Sequence, residues 1–376
     1  MSISSSNSGN RLQVLSISTG AEALARLADP RIVAGPFQRA TWISPFARKI
    51  GEAMRRLHLL EIGEGNQSLL LPLEVRRRAM FNQADIFGGK HASFNLPARI
   101  GDLGATRDEL RAVLVDAGQR LGIDAFTLTD LPEMHAGLAN PLVTLGGQES
   151  PSAGWSTEIE QDVNAMLDAR SDRDYRRKLR QKINRLSTIG PIRSGWVTDP
   201  SEQRLVWTMM FSWKALRFRE SGIIDPFSDH ETQEFLQEAS RGPNASVRLF
   251  ALYCGDRLAA SMAGATNDHT FSSMLNGHEP APEIARNSPG EQLIASLIPV
   301  LSSEGYASFD LGVGEASYKN RYCPTRIPLV DVAIPVSLAG IAAARLFLLR
   351  RKLKRQVKQD ERLTKLVTIG RRLLRR

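Results

Sequence analysis

Two hydrophobic periodicities alternate along this chain of 376 residues, and each half of the chain ends in the same order of elements. Apolar residues alternate over 14–17, which predicts a strand, and a helical stripe follows over 21–27. Helical spacing with an N-terminal proline recurs over 45–57. Segments 57–62 and 68–75 flank the turn sequence Gly63-Glu64-Gly65-Asn66 and predict a hairpin. A helix over 103–121 and a strand over 125–129 close the first half.

The second half opens with 158–167, a basic helix over 172–186 and a helix over 207–219 in which Trp213 belongs to the core. Strands over 246–254, 257–266 and 270–276, joined by Gly-Asp-Arg and Asn-Asp-His turns, then predict an antiparallel meander. A helix and a strand end this half too. The expected fold is therefore α/β (α+β), a duplicated unit with mixed, mainly antiparallel sheets. Its expected domains are 11–145 and 155–336, with the Gly/Ser/Pro-rich stretch 146–154 as linker. Residues 1–10, rich in Ser, Asn and Gly, lack the means to build a core and are expected to be disordered.

The closing helix and strand of the second half carry the candidate chemistry, in 286–319. Ser288 has a capping hydroxyl, Pro289 suits the first helical position, and Gly290 lets a ligand approach the backbone. Such a helix start presents free N–H groups and the positive end of the aligned peptide dipoles to an anion. The helix stripe is Leu293, Ile294, Leu297, Ile298 and Leu301, and Gly305 ends it. A strand over 307–311 follows, and Gly312 and Gly314 open a loop that delivers Glu315, Tyr318 and Lys319 to the strand end. This arrangement fits a pyrophosphate site beside a reaction centre.

Composition narrows the classes. With 42% hydrophobic residues and this length the chain can bury two cores. Only Cys254 and Cys323 are present, and no early apolar run precedes a cleavage site, so a cytoplasmic protein without disulfides is expected. The longest uncharged apolar stretch, 332–344, is broken by Pro335 and Gly340 and is too short to span a bilayer. His58, His91, His135, His230, His269 and His278 show no metal-ligand spacing, and no metal is expected. The Gly-rich run 87–92 lacks the GxxxxGK[ST] pattern of a phosphate loop.

The formal charge of +9 is unevenly distributed, because residues 345–376 hold 13 Lys and Arg against Asp360 and Glu361. Segment 337–376 is expected to be a basic amphipathic helical tail, with Leu346, Leu349, Leu353, Val357, Leu363, Leu366 and Ile369 near helical spacing. Two readings stand: salt-sensitive peripheral contact with the inner face of an anionic membrane through 341–376, or docking on the protein's own body or a second copy. The basic helix 172–186 similarly reads as a solvated face or as a contact for an anionic substrate.

Ser288-Pro289-Gly290, the helix, Phe309-Asp310-Leu311-Gly312 and Gly314-x-x-x-Tyr318-Lys319 together resemble the CelD/BcsL-type acetyltransferases of bacterial cellulose and exopolysaccharide synthesis, in the GNAT superfamily with its BioF2-like acetyltransferase domain. The resemblance covers about 173–320 and includes 175–180, 213–222 and the strand turn at Gly255-Asp256-Arg257. It implies two tandem GNAT-like domains, the second catalytic, with acetyl-CoA lying in a splay between two central strands. The chain departs from the usual pyrophosphate signature Q/R-x-x-G-x-G/A, since Asn287-x-x-Gly290 is followed by Gln292.

On that basis Asn287, Ser288, Pro289, Gly290 and Lys319 are the candidate donor-binding residues. Candidate bases are Asp310, Glu315 and His278, although Asp310 equally suits a carboxylate that fixes the Gly312–Gly314 turn. The resemblance gives Tyr318 the role of general acid. Neither a GxSxG elbow nor a Cys beside a recognisable His motif is present, which fits direct attack by the acceptor, a sugar hydroxyl or amine of a polysaccharide precursor or nascent saccharide. Two alternatives remain: a peptidoglycan-type aminoacyltransferase using aminoacyl-tRNA, and a non-catalytic adaptor of a polysaccharide export complex. The leading reading involves no nucleic acid.

Overall fold

The computed structural model describes residues 12–77, 80–316 and 318–360, so the expected disorder of 1–10 and the tail beyond 360 lie outside the described residues. Two mixed sheets carry the fold. In the first, strands run in the order Gln13–Thr19, Leu57–Glu64, Gln67–Arg76, Gln83–Ile86, Ala125–Pro132, Leu329–Pro335 and Gln148–Glu149, with Ala98–Ile100 also on Gln67–Arg76. The second has the order Ile192–Trp196, Val247–Cys254, Arg257–Thr266, Thr270–His278, Ser308–Val313, Gly154–Glu158 and Thr325–Ile327.

Each sheet has one parallel pair, Gln83–Ile86 with Ala125–Pro132 and Thr270–His278 with Ser308–Val313. A helix connects each pair, Arg107–Leu121 and Pro289–Ser303. That shared arrangement is the duplication seen in the hydrophobic pattern. Helix Arg107–Leu121 begins at a capping box between Thr106 and Glu109, which replaces the expected start at 103.

The units are tied by exchanged strands. Leu329–Pro335 falls within the segment expected in the second domain, yet it pairs antiparallel with Ala125–Pro132 of the first sheet. The expected linker contributes Gln148–Glu149 to that same strand, while Gly154 begins a strand of the second sheet. The helix expected over 45–57 is two helices, Ala40–Lys49 and Ala53–Arg56. Pro45 sits inside the first, where it has no N–H for the carbonyl of Thr41. That carbonyl instead accepts from Ser246 Oγ of the second unit at 2.9 Å.

Three cores result. One packs the first sheet on Arg107–Leu121, and one packs the second sheet on Pro289–Ser303. The third lies between the units around Trp42, Phe46, Trp207 and Phe235. At about 25 cal/mol per Å² of buried apolar surface, such aromatic contacts hold the units together far more strongly than the ion pairs at their rim.

Candidate active site

The parallel ladder at the centre of the second sheet is short. It pairs Thr270 with Ser308, Phe271 with Phe309 and Ser272 with Asp310, although the strands continue to His278 and Val313. Beyond the last pair lies a cleft of about 270 Å³, whose walls include His278, Ser288, Pro289, Gly290, Tyr318 and Arg217. The meander and the following helix thus bring together most of the residues singled out in the sequence.

Ser288 turns the chain into the helix in a left-handed conformation, φ 52° and ψ 51°. That conformation is uncommon for a residue with a Cβ and costs of order 1 kcal/mol. Its hydroxyl caps no helix N–H, contrary to expectation, and accepts from Lys182 Nζ at 2.7 Å. The Ser288 carbonyl receives the N–H groups of Glu291 and Gln292 at 3.0 and 3.2 Å. A Cβ on Gly290 would meet no atom within 4 Å. The helix start therefore faces open space with a cation at its corner.

Lys182 belongs to the basic helix Arg173–Ser187, which also receives Gln292 Nε2 on its Leu179 carbonyl at 2.9 Å. Part of that helix thus packs against the start of Pro289–Ser303 rather than forming a solvated face. In the next turn Glu291 accepts from Tyr175 Oη and lies 3.6 Å from Arg321, whose guanidinium sits 3.7 Å from the Tyr175 ring centroid. Burial and this carboxylate push the Tyr175 hydroxyl up to about 12.

On the opposite wall, Tyr318 Oη accepts from Asn276 Nδ2 at 3.2 Å. Gly277, next to Asn276, packs closely on helix Pro200–Ser221, since a Cβ there would lie 3.0 Å from the Trp213 ring. Trp213 belongs to helix Pro200–Ser221, and one turn further on that helix supplies Arg217 to the cleft. Lys214, half-buried between them, has its ammonium pKa lowered to about 8 by burial and by the neighbouring Arg217. His278 is exposed at the strand end.

The remaining candidates are placed elsewhere. Asp310 is 1% exposed; its Oδ2 accepts from Ser272 Oγ and lies 3.1 Å from His135 Nε2, and its Oδ1 accepts from the Gly312 N–H at 2.9 Å. This is the turn-fixing geometry, with the carboxylate fully engaged and turned away from the cleft. Lys319 is buried and donates to the Gly312 carbonyl at 3.2 Å. Burial lowers its pKa, partly offset by Asp310. Asn287 is also buried, donating to the Glu283 carbonyl at 2.9 Å. Glu315 is exposed on the loop.

Four residues of this arrangement had no assigned role in the sequence. Asn276 and Arg217 lie on recognised elements, and Lys182 was one of seven basic positions. His135 had no local signal, since its partner Asp310 is 175 residues away. Among the described residues no cluster of ligands suited to a metal occurs.

Residues 173–320 match the family model of the acetyltransferase (GNAT) domain. No curated protein matches the chain in sequence. Among solved structures, FemX is 10% identical over 89% of this chain and 100% of its own, with a TM-score of 0.56. A conserved protein of unknown function from Bacteroides thetaiotaomicron VPI-5482 is 12% identical over 78% of this chain and 89% of its own, at 0.51. The C-terminal domain of a candidate lysylphosphatidylglycerol synthetase from Agrobacterium fabrum is 12% identical over 88% of this chain and 98% of its own, at 0.50. At these identities the likeness is one of fold. The matched segment contains Lys182, Arg217, the Ser288–Gly290 corner and Tyr318, and it supports an acyltransferase.

Proposed function

We propose that the chain transfers an acetyl group from acetyl-CoA to a sugar hydroxyl or amine in cellulose or exopolysaccharide synthesis. The observation that carries the acyl-transfer reading is the cleft beyond the Ser272–Asp310 pair, where an open helix start, Lys182 and Arg217 meet Tyr318. The polysaccharide context rests on the motif resemblance of 286–319, and a cytoplasmic site of action goes with it.

The residues fit a donor with a diphosphate. Gly290 leaves room for the anion at the helix start, where N-terminal amides and the helix dipole favour negative charge, and Lys182 and Arg217 add two cations. Bound there, the donor would supply a thioester carbonyl. Tyr318, oriented by Asn276, would give its hydroxyl proton to the departing sulfur as the C–S bond breaks. His278, exposed at the end of the strand that carries Asn276, would take the proton from the attacking oxygen or nitrogen as the new bond to the acyl carbon forms. Asp310 acts behind this site, holding the Gly312–Gly314 turn and through it the position of Tyr318.

A second reading, with aminoacyl-tRNA as donor, draws on the exposed Arg173, Arg177, Lys178, Arg180 and Arg185 of the basic helix. Calorimetry decides. Saturable heat with acetyl-CoA that Gly290→Asp removes supports the first reading; heat with aminoacyl-tRNA alone, falling steeply with salt, supports the second. Heat with neither leaves the adaptor.

A further inference from the structure

We propose that the outer face of the helix Leu338–Gln359 docks in the plane of an anionic lipid bilayer. The inference stands on this helix and does not depend on the acyltransferase reading.

One face of the helix is committed to the protein's own body. Ser337 Oγ donates to Asp124 Oδ1 at 2.5 Å, and a Cβ on Gly340 would lie 1.7 Å from the Asp124 carbonyl. Further along, Gln148 Nε2 donates to the Leu348 carbonyl at 2.6 Å. Arg351 then reaches inward to Asp331 and Asp130 at 2.7 and 2.6 Å, and Arg355 pairs with Glu149. Docking thus accounts for the residues of one stripe and leaves the other unpartnered.

The unpartnered stripe is apolar. Leu338, Ile341, Leu346, Leu349 and Leu353 are 87, 38, 37, 53 and 52% exposed, and they succeed one another at helical spacing on the side away from Arg351. Exposed Arg345 and Lys352 share this face and exposed Arg350 and Lys354 lie beside it, without an ion pair among the described residues. Helix Leu338–Gln359 contains no acidic residue. Exposed leucines on one helix face mark an interaction surface, and their interleaving with long cationic side chains is the chemistry of a helix lying at the headgroup boundary.

Charge selects the occupant. A second copy would bring the same cations against these, whereas a leaflet of anionic lipids offers both an apolar interior and opposite charge. No helix among the described residues is long and apolar enough to cross a membrane, so the contact is parallel to the surface. Beyond Asp360 the sequence adds Arg362, Lys365, Arg371, Arg372, Arg375 and Arg376 against Glu361. The last turn of the helix is tied to the stretch between the units, since Lys358 Nζ donates to Ser152 Oγ at 2.6 Å, and Glu315 of the loop that carries Tyr318 is among the charges acting on it. A bilayer bound along this helix would lie beside the loop that carries Tyr318.

Co-sedimentation of the full chain with vesicles tests this. Binding is expected to phosphatidylcholine vesicles containing phosphatidylglycerol, not to phosphatidylcholine alone, and is expected to reverse at high salt. Leu349→Asp with Leu353→Asp, and separately Arg350→Glu with Lys354→Glu, should each weaken binding at least tenfold with circular dichroism and melting unchanged. Acetyl-CoA titration of the same samples reports separately on the cleft. Equal binding by both folded double variants, or no binding by the parent chain, overturns the proposal. So does a dimer in sedimentation velocity that both variants dissolve while vesicles capture neither parent nor variant.

Discussion

His135 Nε2 lies 3.1 Å from Asp310 Oδ2, and this buried pair joins the small hairpin of Met134–His135 with Leu138–Ala139, which follows Ala125–Pro132 of the first sheet, to the strand Ser308–Val313 of the second. The imidazole stacks on Phe94 with centroids 4.1 Å apart, and Ser272 occupies the same corner. The first unit therefore buttresses the strand end from which the Gly312–Gly314 loop departs.

Removal of the imidazole should be felt as stability. His135→Ala deletes a buried hydrogen bond to a carboxylate and a stacked ring, a loss of about 1.5–3 kcal/mol for the hydrogen bond alone. Urea unfolding is expected to show that shift, with acetyl-CoA affinity of the folded fraction within a few-fold of the parent. Unchanged stability would mean that the pair does not hold the units together.

Asp310→Asn and Tyr318→Phe should separate scaffold from chemistry. Asp310 receives the Gly312 N–H, Ser272 Oγ and the His135 ring, so an amide nitrogen there would set donor against donor. That variant should melt earlier, and its activity per folded molecule should fall less than its stability predicts for an essential base. Tyr318→Phe loses only a hydroxyl bonded to Asn276. Turnover is expected to drop about 10²–10⁴-fold, the range for a lost general acid, with donor affinity and melting retained. Equal turnover by the phenylalanine variant would remove Tyr318 from the proton path.

Much of this site was legible because its elements are periodic and local. The meander, the helix with its Leu293, Ile294, Leu297 and Leu301 stripe and the Gly312–Gly314 loop each announce themselves within about fifteen residues. Pairing across the chain is a different matter. Part of Leu329–Pro335 stood out only as apolar sequence from 332 onward, and nothing local says that it is a strand whose partner is Ala125–Pro132. The helix His230–Ala239 escaped because Phe235 and Leu236 make only a short stripe, and the edge strand Ile192–Trp196 because Arg193, Ser194 and Gly195 interrupt its apolar pattern. Asp310 was ambiguous for a physical reason: a strand-end carboxylate before glycines suits both a base and a turn, and only its burial decides.

At the helix start, Gly290→Asp should weaken acetyl-CoA binding at least tenfold, about 1.4 kcal/mol, by placing a carboxylate where the donor's anion is expected. The fold should persist, since a Cβ at Gly290 meets open space and an acidic residue suits a first helical turn. Lys182→Ala should act in the same direction by removing the cation on Ser288. Calorimetry showing parental affinity in both folded variants would relocate the donor site.

Buried His91 and half-buried Asp85 should give opposing pH effects. Burial lowers the His91 pKa to about 4, below its ordinary value, so the folded state resists a proton that the unfolded chain accepts; stability present above about pH 6.5 is lost as pH falls toward 4. The full effect is about 3 kcal/mol. Asp85 is raised to about 7 by burial, with Asp130 adding to it, so its contribution is present at low pH and lost as pH rises toward 7. Asp85→Asn, able to keep the Ile86 N–H contact, should therefore stabilise at pH 8 and not at pH 4. Because the carboxyl keeps some access to water, the gain is nearer about 2 kcal/mol than the full shift implies. Stability gained equally at both pH values would mean that the carboxyl does not titrate in this window.

The final prediction distinguishes neighbouring arginines on one helix. Arg351 is 15% exposed along its side chain and closes on Asp331, which is fully buried, and on Asp130, which adopts a left-handed φ of 53°. Ser150 Oγ and the Asp130 N–H also donate to Asp331, at 2.6 and 3.1 Å, so both its oxygens are engaged in a network in which Arg351 is the cation. Burial lowers the guanidinium pKa less than these carboxylates raise it, and Arg351 stays charged. Replacing a buried pair with apolar groups can be neutral, but removing one partner leaves the other charge uncompensated at about 3–5 kcal/mol. Arg351→Ala should therefore destabilise the first sheet by that amount and loosen the C-terminal helix, seen as faster amide exchange over 338–359. Arg350→Ala, one residue away and exposed, should change stability by no more than about 0.5 kcal/mol. Equal small losses from both substitutions would show that the helix is held by its apolar face and Gly340 contact, with the ion cluster adding nothing.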